Sequence, residues 1–451
     1  MIFNGIYESK GRLGKGAFGE VFKVLNKNDN KFYALKAIIK DPKIKKDDFI
    51  KEYENKIQII KNIKSKYVVN YKENFYDEKY EGYCIVMDIC DSDLRTLLDK
   101  YKNKGKGLPF EFIYKIFLQL NDVLKAMYEK NCIHRDLKPE NILIKYTDNV
   151  NFDIKLTDFG LTTSDINSSI KSYSLVGTQN YRAPEIDENH YNNKCDLWSL
   201  GVILYELYTN KNIFGSNIKE IELNRKKGII INKIDNKLIN NLINKLIVVD
   251  IEKRIKWEEY FNDDFFKQQI IKIKINVDKD NEIIKIYNKN KDINEKNIKL
   301  FIDNKEIKNN INNLKKGFYI IIMKIEQNIT NCNNMFYECN KISEIEFINF
   351  DTKNVTQMEG MFGNCSGLKN LNLNNFDTKN VTNMGGMFFK CSGLENLNLK
   401  NFDTKNVTNM SGMFNNCSGL KNLNLNNFDT KNVTKMNGMF DGCKITFSFK
   451  K

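Results

Sequence analysis

The sequence predicts a multidomain α+β chain, on three observations. Strand-type and helix-type segments alternate over residues 1–268, short runs alternate apolar with polar residues over 269–330, and a 26-residue pattern recurs from 331 to 451. The last is the signature of a solenoid, in which each repeat buries its apolar residues against its neighbours. At 451 residues the chain exceeds what one core of about 250–300 residues sustains, so two or three domains are expected.

Leu13-Gly14-Lys15-Gly16-Ala17-Phe18-Gly19-Glu20-Val21 carries glycines at G-x-G-x-x-G-x-V spacing. Such glycines let a hairpin backbone close over phosphates without obstruction by side chains. A dinucleotide-binding turn shares the pattern but opens a helix. Here the strand formers Val21-Phe22-Lys23-Val24 follow, so the loop joins two strands. Phe32 to Ile38 reads as a strand with one lysine, Lys36, whose place after the glycine loop favours a phosphate contact. Asp48 to Ile63 reads as an amphipathic helix and Cys84 to Ile89 as a buried strand leading into the linker Cys90-Asp91-Ser92-Asp93. Phe112 to Met127 is a long helix with apolar positions at helical spacing.

The chemical centre follows. Cys132 to Asn141 holds a base (Asp136), a cation (Lys138) and a metal ligand (Asn141) at short fixed offsets, and Pro139 marks a loop between that helix and a short strand, Ile142-Leu143-Ile144. Beyond lies Ile154-Lys155-Leu156-Thr157-Asp158-Phe159-Gly160. Two carboxylates, Asp136 and Asp158, converging with the Asn141 amide can hold Mg²⁺ and position a hydroxyl nucleophile.

With Ala183-Pro184-Glu185, Asp196-Leu197-Trp198-Ser199-Leu200-Gly201 and Arg254 completing the series, residues 7–266 resemble a eukaryotic-type protein kinase domain. The resemblance implies the bilobal kinase fold and transfer of the γ-phosphoryl group of ATP to protein hydroxyls. It implies that Lys36 binds the α- and β-phosphates, Asp136 takes or orients the substrate hydroxyl proton, Lys138 neutralises charge on the transferred group, and Asn141 and Asp158 hold Mg²⁺. Leu13, Gly14, Gly16 and Gly19 would cover the nucleotide. The adenine would lie between Val21, Ala34 and Leu143, against a linker from Asp88 to Cys90, with Met87 as gatekeeper. Glu185 would pair with Arg254. Lys138 in its Asp-Leu-Lys-Pro-Glu-Asn context and Gly177 to Glu185 resemble serine/threonine rather than tyrosine kinases, so protein substrates with Ser/Thr acceptors are expected. Ser174, four residues before Thr178, reads either as an activation-loop phosphosite whose phosphate pairs with Arg135 or as a solvated serine.

One departure stands out. Counting back from Tyr67-Val68-Val69, with Ile59, Ile60 and Ile63 inward, puts Lys56 where the kinase C-helix normally carries a glutamate for the strand lysine. Two cations, Lys36 and Lys56, would then face each other. Glu52, four residues earlier, or Glu54, with a shifted register, would substitute. The alternative reading is a weakly active or inactive kinase domain used as a scaffold.

Residues 269–330 read as a β-rich connecting or capping module: Ile271 to Val277, Ile283 to Tyr287, Ile298 to Ile302 and Phe318 to Ile325 alternate as strands do. In 331–451 Met-Phe pairs recur at Met335, Met361, Met387, Met413 and Met439, and cysteines at Cys339, Cys365, Cys391, Cys417 and Cys443. With the Leu-x-x-Leu-x-Leu segment at Leu368, Leu371 and Leu373, this resembles BspA-type leucine-rich repeats, which implies one short strand per coil and a surface for a protein partner. The cysteines read as stacked buried thiols, and the Asn-x-Thr sequons at Asn354, Asn380, Asn406 and Asn432 as turn and ladder residues. Lys444 to Phe449 should close the stack as a terminal strand.

The net charge of +14 comes from Lys spread through the whole chain rather than from a compact basic block, so no nucleic-acid partner is expected. No apolar run approaches the about 20 residues that span a bilayer, and Met1 to Gly5 opens no signal peptide, so a cytoplasmic location with no membrane span is expected.

Overall fold

The computed structural model describes residues 1–16, 19–102, 107–147, 151–159, 179–188, 192–215, 217–228, 234–303, 305–444 and 447–449. They form two compact units, Met1–Lys267 and Gln268–Lys451.

The first unit opens with β1 (Ile2–Phe3), β2 (Tyr7–Gly16), β3 (Gly19–Asn26), β4 (Lys31–Ile39), helix α1 (Lys46–Lys61), β5 (Tyr71–Asp77) and β6 (Gly82–Asp88). The strands make an antiparallel sheet in the order β1-β2-β3-β4-β6-β5. Successive strand residues face opposite sides. Leu35 and Ala37 therefore join Phe22, Val24, Cys84 and Val86 on one face, while Ala34 and Ile38 join Phe49, Tyr53 and Ile57 of α1 on the other. Lys36, midway between Ala34 and Ile38, shares their face and is buried with them. Helix α1 starts two residues before the expected Asp48, because Asp47 and Asp48 suit the positive end of a helix in its first turn.

The chain continues through β7 (Ser92–Asp93), α2 (Leu94–Lys102), α3 (Phe110–Tyr128), β8 (Ile142–Tyr146) and β9 (Phe152–Leu156), with β7-β8-β9 forming a small sheet. Then come α4 (Lys194–Thr209), α5 (Ile218–Lys227), α6 (Lys237–Leu246) and α7 (Trp257–Phe261). Every residue of α4 from Cys195 to Tyr205 is buried, which makes it the central helix of this half. Gly201 permits its contact with α6, since a Cβ there would stand 2.9 Å from Leu246 Cβ and 2.7 Å from Ile247 Cδ1.

The second unit contains β10 (Gln269–Val277), β11 (Ile298–Ile302), β12 (Lys305–Ile307), β13 (Gly317–Ile325), β14 (Ile342–Asn349) and β15 (Asn370–Asn372), in the sheet order β12-β11-β13-β10-β14-β15. The stretch Ile283 to Tyr287, expected as a strand, makes only the bridge Ile284 to Ile311. The Asn309 side chain takes over there, accepting from Ile286 N at 2.9 Å and donating to Tyr287 O at 2.8 Å.

From β14 onward pairing turns parallel, each partner 26 residues ahead: Ile345 to Leu371, then the bridges Gln357 to Asn383, Asn383 to Asn409 and Asn409 to Lys435. Strands β16 (Leu423–Leu425) and β17 (Phe447–Phe449) pair parallel at the far end. Inside the coils Phe362, Phe388 and Phe414 stack with ring centroids 5.7 and 5.5 Å apart. Buried Thr378 donates to Asp403 O at 3.0 Å and accepts from Asp403 N at 2.8 Å, and Thr352 and Thr404 repeat the arrangement. The thiols of Cys365, Cys391 and Cys417 donate to carbonyls of the preceding coil. The sequon amides of Asn380, Asn406 and Asn432 are likewise bonded to the preceding coil at 2.6 Å. The Asp292 carboxylate closes the near end, accepting from Thr330 N and Oγ1 at 2.8 Å and from Asn331 N at 2.9 Å.

Among the described residues no helix is long and apolar enough to cross a membrane.

Candidate active site

The site is built where two backbone segments meet. Between α3 and β8, Asp136 is buried, Lys138 Nζ lies 2.7 Å from its Oδ2, and Asn141 Nδ2 donates to its backbone oxygen at 2.7 Å and to Oδ2 at 3.1 Å. After β9, Asp158 Oδ1 lies 2.5 Å from Lys36 Nζ of β4. Thr157 N donates to Asn141 O at 3.0 Å and the His134 ring meets Thr157 O at 3.0 Å, so the two clusters are tied through backbone.

Both segments are held in unusual backbone. Arg135 (φ 67°) and Asp158 (φ 62°) lie in the left-handed region, which costs a residue with a Cβ about 1–3 kcal/mol unless its surroundings impose it. The imposing group at Arg135 is Asp196, in the first turn of α4, whose carboxylate accepts from His134 N at 2.7 Å and Arg135 N at 2.8 Å. Burial pushes the Asp196 carboxyl up, against those bonds. Burial also raises Asp158, but the Lys36 ammonium together with His134 and Lys138 outweighs it and the net shift is downward.

On the sheet, Ala34 pairs with Met87 and Val21 with Lys36, and Val21 packs against the cluster holding Ala34 and Met87. Met87 is buried, with Thr157 Oγ1 3.8 Å from its sulfur. Leu143 lies half-buried on β8, opposite Asp93 and Lys155. Asp88 is exposed, and half-buried Cys90 has its thiol pushed up to about 11 by burial. Leu13 is exposed, and a Cβ on Gly14 would meet nothing. At Gly19 (φ 132°) it would stand 2.1 Å from Ala37 O, so only glycine fits where Gly16 and Gly19 pair. Ala17, Phe18, Gly160, Ser174, Gly177 and Thr178 lie outside the described residues.

Helix α1 brings Lys56 into the wall of one cavity with Lys36, Asp158 and Met87. Glu52 pairs with Lys56 at 2.6 Å, and Glu54 is exposed. Among the described residues Lys36 pairs with the Asp158 carboxylate.

A network that sequence reasoning missed adjoins the segment that carries Asp136 and Asn141. Arg95 of α2 donates to Glu140 at 2.9 Å and to Glu206 of α4 at 2.8 Å, and Tyr181 bonds both Arg95 and Glu206. The Glu185–Arg254 pair is bidentate, at 2.5 and 2.9 Å.

The family described as protein kinase domain matches residues 7–266, and a family described as a Mycoplasma protein of unknown function, DUF285, matches residues 330–449. The chain is 34% identical over 206 residues to the serine/threonine-protein kinase TIO of Arabidopsis thaliana, covering 46% of this chain and 15% of that protein. It is 37% identical over 227 residues to calcium-dependent protein kinase 5 of Plasmodium berghei (49% and 38%), and 32% identical over 208 to the probable serine/threonine-protein kinase nek2 of Dictyostelium discoideum (45% and 48%). The chain thus spans less than half the length of these relatives. With a match to more than half of its length and the Asp136, Asn141 and Asp158 clusters tied together, the chain belongs to the protein kinase domain family.

Proposed function

We propose that this chain is an ATP- and Mg²⁺-dependent serine/threonine protein kinase. The observation that carries the reading is the hydrogen-bonded set Asp136, Lys138 and Asn141, joined by the Thr157–Asn141 backbone bond to the Lys36–Asp158 pair. Asp136, buried and held by two donors, accepts the proton of a substrate hydroxyl. Lys138 offsets charge on the transferred phosphoryl group, and Lys36 engages the nucleotide's phosphates. Leu13, Gly14, Gly16, Gly19, Val21, Ala34, Met87, Asp88, Cys90 and Leu143 form the nucleotide site. The donor set suits Mg²⁺: Asn141 turns its amide nitrogen to Asp136, so its amide oxygen and the Asp158 carboxylate would supply hard oxygen ligands. Mg²⁺ held there neutralises phosphate charge.

The 26-residue coils, read as BspA-type leucine-rich repeats, offer a continuous surface that recruits a protein substrate or regulator. A cytoplasmic location accords with this reading.

The test uses the full chain with ATP, Mg²⁺ and a generic protein substrate. Phosphorylation of Ser/Thr abolished by Asp136→Asn supports the enzyme. Nucleotide binding without phosphotransfer favours the second reading, a weakly active scaffold, for which the specific observation is Lys56 beside Lys36 with Glu52 engaged elsewhere. Capture of partners by residues 330–449 tests the recruiting role.

A further inference from the structure

Helix α2 is firmly anchored. The Asp93 carboxylate accepts from Thr96 N at 2.7 Å in its first turn, Leu94 and Leu98 are buried, and Asn210 Nδ2 donates to Leu98 O at 3.3 Å. Arg95, next to Leu94, engages all three guanidinium nitrogens. Nε donates to Glu140 at 2.9 Å, one terminal nitrogen to Glu206 at 2.8 Å, and the other to Glu206 at 3.2 Å and to the Tyr181 hydroxyl. A planar fork can bridge three partners at once, which the point charge of a lysine cannot. The Glu206 side chain is 14% exposed and that of Glu140 44%, so the bond to Glu206 is the inner and stronger one. Holding α2 against α4 needs that bond alone. The other two arms reach further: Glu140 lies between Pro139 and Asn141 in the turn that follows Asp136, and buried Tyr181 has its carbonyl held by Ser199 Oγ of α4 at 2.8 Å.

We propose that Arg95 is a positioning residue for the protein substrate: through Glu140 and Tyr181 it fixes the wall beside Asp136 against which the chain carrying the acceptor hydroxyl lies. This rests on the kinase reading of the site. Without the guanidinium, Glu140 and Glu206 lose their shared counter-ion. Glu206, largely buried, keeps the Tyr181 hydroxyl, while the more exposed Glu140 turns to water, and the two sides of the wall part. Among the described residues the bonds of this network run to neither Lys36 nor Asp158, so the nucleotide side is held independently.

The experiment measures steady-state phosphorylation of dephosphorylated casein by the full chain, varying casein and ATP separately, with tryptophan fluorescence to follow Tm. Arg95→Ala is expected to raise KM for casein at least fivefold while KM for ATP stays within twofold. Guanidinium ion at millimolar concentration fits the vacated place between two carboxylates and a hydroxyl and is expected to restore at least half of the lost kcat/KM; methylammonium, a point charge, is expected to restore less. Glu140→Gln and Tyr181→Phe, which each loosen one arm, are expected to raise KM for casein about threefold with Tm within about 2 °C of the parent. A KM for ATP that moves as far as that for casein overturns the proposal. So does a loss that follows Tm alone, with Glu140→Gln and Tyr181→Phe at parental values and no response to guanidinium, which makes Arg95 only a tie between α2 and α4. A parent chain that phosphorylates no protein overturns the kinase reading instead.

Discussion

Glu185→Gln isolates the worth of one buried ion pair. The Arg254 side chain is fully buried, and its guanidinium is clamped by both carboxylate oxygens of Glu185 at 2.5 and 2.9 Å. It also donates to Val248 O and Lys194 O, both at 2.9 Å, and lies 5.1 Å from the Trp198 ring. Removing one partner of such a pair costs about 3–5 kcal/mol, because the other charge stays buried without its counter-ion. The two carbonyls and the ring still solvate Arg254, so the expected loss is near the lower end, about 3 kcal/mol. For a unit of this size 1 kcal/mol moves Tm by about 2–4 °C, which predicts a fall of about 6–12 °C. Intrinsic tryptophan fluorescence reports this unit alone in the full chain, since both tryptophans, Trp198 and Trp257, lie within Met1–Lys267. A shift below about 3 °C would refute the assignment of this pair as a stabilising clamp. The double variant Glu185→Leu with Arg254→Met should lose less than the two single changes summed.

Other outcomes follow from the same geometry. Thr404→Val keeps the shape but strips both bonds to half-buried Asp429, leaving its N–H and carbonyl without the Thr404 hydroxyl; urea unfolding followed by cysteine labelling in the coils should show a loss of about 1–3 kcal/mol, toward the lower end because water can reach Asp429. Gly393→Ala would set a Cβ 2.4 Å from Ser366 O of the preceding coil, a backbone atom that cannot turn aside, and should cost about 1–3 kcal/mol in the same assay. Burial raises the Asp292 carboxyl, but the Thr330 and Asn331 donors outweigh it and hold it below its usual range, so its contribution is complete above the unfolded pKa of about 3.9 and is lost as pH falls through the lower folded value. Asp292→Asn should therefore destabilise the second unit at pH 7, and the gap between variant and parent should narrow below about pH 4; a gap constant from pH 7 to 3 would contradict this.

Much of the candidate site could be read in the sequence because its parts are neighbours along the chain. Asp136, Lys138 and Asn141 fall within six residues, so a short loop is enough to keep them within reach of one another. The coils were legible for a similar reason: a strict period of 26 puts like residues in register, so the phenylalanine, threonine and cysteine ladders follow from the repeat itself. The run Phe32 to Ile38 was equally local and marked the strand that carries Lys36, whose burial the structure shows.

Other features were set by packing between distant segments. Arg95 meets Glu140 and Glu206 across separations of 45 and 111 residues, and no spacing rule announces such a pair. Asp196 governs the backbone of His134 and Arg135 from another helix, and Asn309 displaces a strand that the apolar pattern favoured. Helical counting placed Lys56 on the inward face of α1, but only the tertiary structure decided that Glu52 would take Lys56 and Asp158 would take Lys36. Residue type and period are local and survive in a one-dimensional record; the partner of a buried charge is chosen by whichever counter-charge the folded chain brings within about 3 Å.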